Sequence, residues 1–204
     1  MMEEKGEWIP KTSLGLAVKE GKVTSLEEIF ESGIKVKEPE IVQNLLPGLK
    51  NLLLGVRMVQ KQTDAGELTR FSAVIAVGDS SGWFGVGHGK AMQTRAAIDK
   101  ATRTAILNII PVQLGCGSWE CRCGQPHSTP AKLYGKAGSV KIQIIPGPRG
   151  LGLVAGSTIK DLLSLAGIKD AWTKTSGSTS TDISMAMAIY DALGKVINVR
   201  RTNR

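Results

Sequence analysis

The sequence has few of the residues on which catalytic and redox chemistry usually depends. Among 204 residues there are two histidines and three cysteines, and aromatic side chains make up 4%. No pair of residues is therefore evident for general acid–base catalysis, and three cysteines cannot build a disulfide framework. No apolar run approaches the roughly 20 residues that span a bilayer, and the opening MMEEKGEW is unlike a signal peptide. We expect a cytoplasmic protein without membrane association or enzymatic activity.

Negative charge is scarce beyond the first fifty residues. Residues 1–50 hold seven Lys and nine Glu, net −2, whereas residues 51–204 hold 19 basic and nine acidic residues, net +10. This basic balance favours a polyanion as the partner. At 42% hydrophobic residues, the chain is also long enough for one or two domains with real cores.

The most informative stretch, residues 70–110, predicts strand, turn, strand and helix. Small and apolar residues over 71–77 precede a Gly-Asp-Ser-Ser-Gly turn, and a short second strand follows over 83–86. We place the start of a long helix at Lys90, because alanines recur at four-residue spacing after it, at Ala97, Ala101 and Ala105.

The start of that helix is predicted to bind a phosphate. Glycines just before a helix leave its first N–H groups bare, and the helix dipole favours an anion there; the candidates are Gly85, Gly87, Gly89 and Lys90. The order of the elements is that of a double-stranded-RNA-binding module: a hairpin, a glycine loop, a basic residue and an Ala-rich helix. The alternative is a hairpin packed on a helix beside an incidental lysine.

Other polar residues are candidates for the same partner. Arg149 lies in a Gly/Pro loop, where its guanidinium could clamp a phosphate through two hydrogen bonds. The predicted turn at Thr63 is flanked by Lys61 and Arg70, and it either lies on RNA or is a solvated hairpin end. Arg95, on the predicted helix, completes the RNA-binding candidates.

The sequence before this stretch predicts a helical arm over residues 1–51. Ser25 and Glu28 form a capping box, and Pro39 starts a further helix. The arm packs either on its own domains or on a neighbour. The RNA-binding-like domain is placed at residues 52–115.

The sequence after this stretch predicts a linker over 116–130 and an α+β domain over 131–204. The domain should contain two strands, a helix capped by Ser157, a short strand and a last helix from about Asp182.

The linker contains a possible metal site. Three thiolates and one imidazole are the ligand set of a closed structural zinc site, here Cys116, Cys121, Cys123 and His127. The spacing differs from the usual C-x-x-C, although neighbouring glycines allow the tight backbone that a C-x-C pair needs. Reduced cysteines in a loop are the alternative.

Three motifs, in this order, resemble the S-five family of small-ribosomal-subunit proteins: TRFSAVIAVGDSSGWFGVGHGKA, GSVKIQIIPGPRGLGLVAG and LLSLAGIKDAWTKTSGSTS. The stretches EWIPKTSLG and SLEEIFESGIKVKEPEI are similar to the arm of the archaeal and eukaryotic branch. The resemblance implies an α+β fold of two domains. A double-stranded-RNA-binding-like αβββα module would precede the family's C-terminal domain, of the left-handed βαβ type.

The resemblance also implies a structural role in the small ribosomal subunit. The family binds 16S-type rRNA where the head joins the body, near the mRNA entrance and beside ribosomal proteins S-four and S-eight, and it helps to set translational accuracy. The loop over 63–69 and the glycine loop would then face rRNA. The second sheet would meet S-four through Gly138, Ser139, Lys141 and Gln143.

Two other functions stay open from the residues alone. The loop over 146–157 vaguely resembles the phosphate loop of small-molecule kinases with the same second-domain fold, but the nearby aspartates form no recognisable catalytic motif. A free RNA-binding module acting off the ribosome is less consistent with the few aromatic residues and the absence of an extended basic tail.

Overall fold

The computed structural model describes residues 8–121 and 123–202, and the chain divides into two compact units, Met1–Leu49 and Lys50–Arg204. No helix within the described residues is long and apolar enough to cross a membrane.

The first unit contains three short helices, α1 (Ser13–Lys19), α2 (Leu26–Glu31) and α3 (Pro39–Leu45). The predicted helix starts at Ser25 and Pro39 are confirmed, because Ser25 accepts the N–H of Glu28 and Pro39 stands at the first position of α3. The predicted cap at Ser157 is wrong, because Gly156 holds the cap position of that helix and no side chain bonds there. The Glu38 carboxylate joins this unit's N-terminal segment to the start of α3. It accepts the N–H groups of Lys11 at 3.0 Å and Thr12 at 2.7 Å.

The second unit begins with an antiparallel sheet of four strands in the order β1-β2-β3-β4. The strands are β1 (Lys50–Thr63), β2 (Gly66–Gly78), β3 (Trp83–Ala91) and β4 (Ile110–Pro111), and α4 (Thr94–Leu107) lies between the last two in sequence. Together with α3 of the first unit, the element order is the expected αβββα.

A second four-stranded sheet follows, in the order β5-β6-β8-β7. Its strands are β5 (Leu133–Ala137), β6 (Val140–Pro146), β7 (Leu153–Val154) and β8 (Ala171–Ser176). Its helices are α5 (Ser157–Leu165) and α6 (Asp182–Thr202). Only β7 and β8 are parallel within the described sheet, so β7–α5–β8 is its βαβ unit. The α+β class with two sheet-based modules is confirmed.

The predicted helix start at Lys90 is wrong, because β3 continues to Ala91 and α4 begins at Thr94. Glycines alternate with Phe84, Val86 and His88, which is the two-residue period of a strand. The glycines therefore line one face of β3 and form no loop before the helix.

That glycine face packs on the alanine face of α4. A Cβ placed on Gly85 would lie 2.4 Å from the carbonyl oxygen of Ala105, and one on Gly89 would lie 2.6 Å from that of Ala97. Only hydrogen fits between strand and helix at these positions, so the glycines are required by packing.

The opposite face of β2 and β3 is buried against the second sheet and its helices. Val74, Ala76, Phe84 and Val86 belong to one hydrophobic cluster with residues of the second sheet and of α5 and α6, among them Ile142, Ile144, Leu162, Leu163, Ile189 and Leu193. Because the two sheets share this core, the division into domains at residues 116–130 stays a prediction.

Candidate nucleic-acid interface and metal centre

One face of the first sheet carries four exposed cationic side chains, which we call the basic face: Arg57, Lys61, Arg70 and Lys90. The Arg57 guanidinium is paired with Asp182 Oδ2 at 3.1 Å. The register opposes Arg57 of β1 and Lys90 of β3 to the same residue of β2, Ser72. Lys61 lies four residues after Arg57 on β1, and Arg70 lies two residues before Ser72 on β2. Since opposed residues share a face and faces alternate along a strand, all four side chains point to one side. Three of them were predicted, and Arg57 was missed.

The basic face continues onto a hairpin that projects beyond the third strand. The pairing of β3 ends where Ala91 opposes Phe71, while β1 and β2 stay paired as far as Thr63 and Gly66. Thr63 Oγ1 donates to the Gly66 carbonyl at 2.7 Å and closes the turn. Most side chains of the projection are solvent-exposed, and Val59 at its base is 41% exposed. The tip is thus accessible to a partner.

The predicted phosphate loop is wrong, because Gly85, Gly87 and Gly89 lie on the face of β3 that is buried under α4. Lys90 keeps its exposed position near the end of β3, and Arg95 is exposed in the first turn of α4. Lys90 is therefore accessible to a partner, and the glycines are not.

His88 shares the face of Lys90 and is half-buried. Its Nε2 lies 2.7 Å from Ser72 Oγ. Burial lowers the pKa of His88, and the positive charge of Lys90 lowers it further. The neutral imidazole is therefore part of the sheet's polar packing and adds no charge to the basic face at neutral pH.

The residues predicted to meet a neighbouring protein lie on the outer side of the second sheet. Gly138, at φ +60°, turns between β5 and β6, and Ser139 follows it on the surface. Lys141 is exposed, and Gln143 donates to Tyr134 Oη at 3.2 Å. Lys141 and Gln143 border a shallow depression of about 320 Å³ whose other lining residues include Lys136, Lys174 and Lys195. This surface is strongly basic.

The linker brings its three cysteines and one histidine together. One ligand atom each from Cys116, Cys121, Cys123 and His127 lies within 4.8 Å of every other. The Cys121 sulfur lies 3.8 Å from His127 Nε2. A tetrahedral zinc ion with Zn–S bonds of about 2.3 Å holds its sulfurs about 3.8 Å apart, so the four groups are close to the geometry of a closed site.

A short antiparallel pairing closes the loop that carries these ligands. Gly115 and Ser128 exchange both backbone hydrogen bonds, at 2.8 and 2.9 Å, and the Gly117 N–H donates to the Thr129 carbonyl at 3.1 Å. A Cβ on Gly117 would lie 2.2 Å from the carbonyl oxygen of Pro130, so this strand pair needs glycine there. The pairing brings Cys116 beside His127 across ten residues of loop.

One further residue, Asp170, lies against the centre, and it was not predicted for it. Asp170 Oδ2 lies 2.9 Å from His127 Nδ1, and the two side chains are only 7% and 8% exposed. Asp170 lies 43 residues from His127 in sequence, and no local pattern joins the two.

Arg149 lies next to this centre. The backbone N–H groups of Arg149 and Cys123 face the Cys121 sulfur and lower the pKa of the Cys121 thiol to about 6. The thiolate, which is the form that binds metals, is thereby favoured at neutral pH. The Arg149 side chain is exposed and stays available to a phosphate.

Two family models match the chain, and together they cover most of it. The model described as ribosomal protein S5, N-terminal domain, matches residues 49–113, and that described as ribosomal protein S5, C-terminal domain, matches residues 135–203. They correspond to the first and second sheets.

Curated relatives extend the match across the arm and the linker. The small ribosomal subunit protein uS5 of Pyrobaculum aerophilum is 58% identical over 186 residues, 91% of this chain and 85% of the relative. That of Thermofilum pendens is 54% identical over 190 residues, 93% and 94% of the two chains. That of Saccharolobus solfataricus is 52% identical over 187 residues, 92% and 87%. The relatives are ribosomal proteins and not kinases, and the chain belongs to the ribosomal protein S5 family.

Proposed function

We propose that the chain is a structural constituent of the cytoplasmic small ribosomal subunit that binds 16S-type rRNA through its phosphates. The basic face is the observation that carries this proposal. Its cations extend over four residues of β1, about 13 Å at 3.3 Å per residue, which is enough to reach several phosphates. Because Arg57 is paired with Asp182, we assign the phosphate contacts to Lys61, Arg70 and Lys90. The relatives are named as small-subunit proteins.

The outer side of the second sheet is proposed to contact a neighbouring ribosomal protein. The family resemblance assigns this surface to S-four, with S-eight and the mRNA entrance nearby, and a contact there would connect the chain to translational accuracy. Exposed Lys141 and the other lysines of this surface suit an acidic partner. Gly138, Ser139 and Gln143 would contribute contacts at its edge.

The salt dependence of RNA binding tests the proposed phosphate contacts. The full chain is titrated with a 16S-type rRNA fragment at several salt concentrations, with and without Lys61→Gln, Arg70→Gln and Lys90→Gln combined. Each lost phosphate contact should reduce the slope of log affinity against log salt by about 0.9 on a duplex. The triple variant should therefore lose between two and three units of slope.

A control variant with the same change in charge distinguishes the basic face from the outer side of the second sheet. Lys136→Gln, Lys141→Gln and Lys174→Gln combined remove three charges from the second sheet, and we expect this variant to keep the parent slope. Equal losses in both triple variants would show non-specific attraction and contradict the proposal.

Assembly into the subunit is tested by sedimentation of tagged protein. A ribosomal constituent should co-migrate with the small subunit after a moderate salt wash. A chain that stays at the top of the gradient while binding RNA would instead support a free RNA-binding module.

We further propose that Cys116, Cys121, Cys123 and His127 hold one structural Zn²⁺. The support is the convergence of three sulfurs and one imidazole nitrogen within 4.8 Å. A closed site of this composition would staple the linker between the two sheets. Metal analysis of the purified chain should find about one equivalent of zinc, and less than about 0.1 equivalent would contradict the proposal.

A further inference from the structure

The segment over residues 147–152, which we call the Arg149 loop, is attached to the proposed metal centre through Asp170. The Gly152 N–H donates to Asp170 Oδ1 at 2.8 Å, and Asp170 Oδ2 contacts His127, a proposed ligand. The loop that carries an exposed arginine is therefore held by groups of the centre itself.

Asp170 divides its two carboxylate oxygens between the centre and the loop. Oδ1 binds Gly152, while Oδ2 binds His127 Nδ1 at 2.9 Å. A second bond, from the Asp170 N–H to the His127 carbonyl at 3.1 Å, fixes the two residues against each other. Because a carboxylate accepts hydrogen bonds, this contact keeps the imidazole proton on Nδ1 and leaves the Nε2 lone pair directed at the cysteines.

The metal would be needed to keep this arrangement fixed. A metal–imidazole bond would hold the His127 ring against Asp170, and Asp170 accepts the Gly152 N–H. The attachment of the Arg149 loop would therefore loosen when the metal leaves.

We propose that Asp170 is a positioning residue of the metal centre, and that metal occupancy, acting through Asp170, holds the Arg149 loop in place for phosphate contact. This inference rests on the proposed zinc site and on the proposed rRNA binding. It makes one of the chain's RNA contacts dependent on metal. The basic face lies on the other sheet and is independent of it.

Amide hydrogen exchange of the full chain tests the attachment. Removing zinc with a chelator should speed exchange at the Arg149 and Gly152 amides at least tenfold, while the amides of the β6–β8 ladder stay protected. Cys123→Ser, measured with zinc present, should reproduce this pattern. It removes an exposed ligand whose sulfur hydrogen bonds lie within residues 116–125, so the loop's own acceptors stay in place.

The outcomes separate this inference from the zinc proposal. If the chain holds no zinc, the proposed metal centre fails and the inference fails with it. If it holds one equivalent but chelation leaves the Arg149 and Gly152 amides unchanged, the centre stands and the inference is overturned. Faster exchange throughout the second sheet would also overturn it, because the effect would then be global unfolding.

Metal affinity tests the positioning role of Asp170. In Asp170→Asn the side chain still accepts from Gly152, but the nitrogen facing His127 cannot accept from Nδ1–H. Zinc or cobalt affinity should fall 10- to 100-fold, as for other carboxylates bonded to a metal-bound histidine. Asp161→Asn, at an exposed aspartate of α5, is the matched control. Equal affinities of the two variants would overturn the role.

Discussion

Gly87 of β3 lies directly against the backbone of Ala101 in α4. A Cβ on Gly87 would stand 2.2 Å from the Ala101 carbonyl oxygen, closer than any non-bonded contact allows. The helix therefore rests on the strand with no side chain between them. This relationship explains why glycines and alanines recur in the central stretch of the sequence.

Gly87→Ala should destabilise the protein by about 3 kcal/mol, because the new methyl group would push α4 away from the sheet. Urea denaturation followed by circular dichroism measures the change. Gly48→Ala is the control, since a Cβ there meets nothing within 4 Å, and it should stay within about 0.5 kcal/mol of the parent. Similar midpoints for both variants would contradict the packing argument.

Shortening the projecting hairpin should lower the affinity for RNA without unfolding the protein. Val59 and Arg70 are opposed, so an Asn-Gly turn can replace residues 60–69 between them. The removed segment has no third strand beside it, and we expect the melting temperature to change by only a few degrees. RNA affinity at moderate salt should fall at least tenfold, because Lys61 and the tip are lost. An unchanged affinity would remove the hairpin from the interface.

Arg149→Gln should lower the salt slope of RNA binding by about one phosphate contact, because its guanidinium is exposed on the Arg149 loop. Lys132→Gln removes an equal charge from a nearby exposed position and is the matched control. Filter binding at four salt concentrations is sufficient. A slope equal to that of the control would exclude Arg149 from phosphate contact.

The first unit should lose a stabilising contact in acid. Burial raises the pKa of Glu38, but hydrogen bonds from Thr12, Lys11 and Trp8 outweigh burial and hold the pKa below its usual range. A carboxyl whose pKa is lowered on folding stabilises the fold above its unfolded pKa, and this stabilisation is lost as the pH falls through the lower, folded value.

Nuclear magnetic resonance of the Trp8 indole measures this titration, since Trp8 Nε1 donates to Glu38 Oε2 at 3.1 Å. The signal should shift with a midpoint below the ordinary glutamate value. In Glu38→Gln it should stay unchanged over the same range. A midpoint at or above the ordinary value would contradict the contact.

Much of the fold could be predicted because the relevant physics is local. The turn at residues 78–82, the caps at Ser25 and Pro39, and the alternation of β6 each depend on neighbouring residues only. The start of α4 could not be predicted in the same way. Alternating glycines suit both a loop and a strand covered by a helix, and only the position of α4 distinguishes them.

Part of the candidate site could likewise be predicted from the sequence, and part of it could not. The charge excess beyond residue 50 and the Cys/His set are properties of composition and short spacing, so the sequence alone indicated a polyanion and a metal. Arg57 joined Lys90 only through strand register, and Asp170 reached His127 only because β8 begins beside the linker. The sequence determined which chemical groups the protein has. Tertiary packing decided which of them meet, because contacts between distant residues depend on how sheets and helices stack. For the same reason, the glycines predicted to form a phosphate loop instead form a buried contact between β3 and α4.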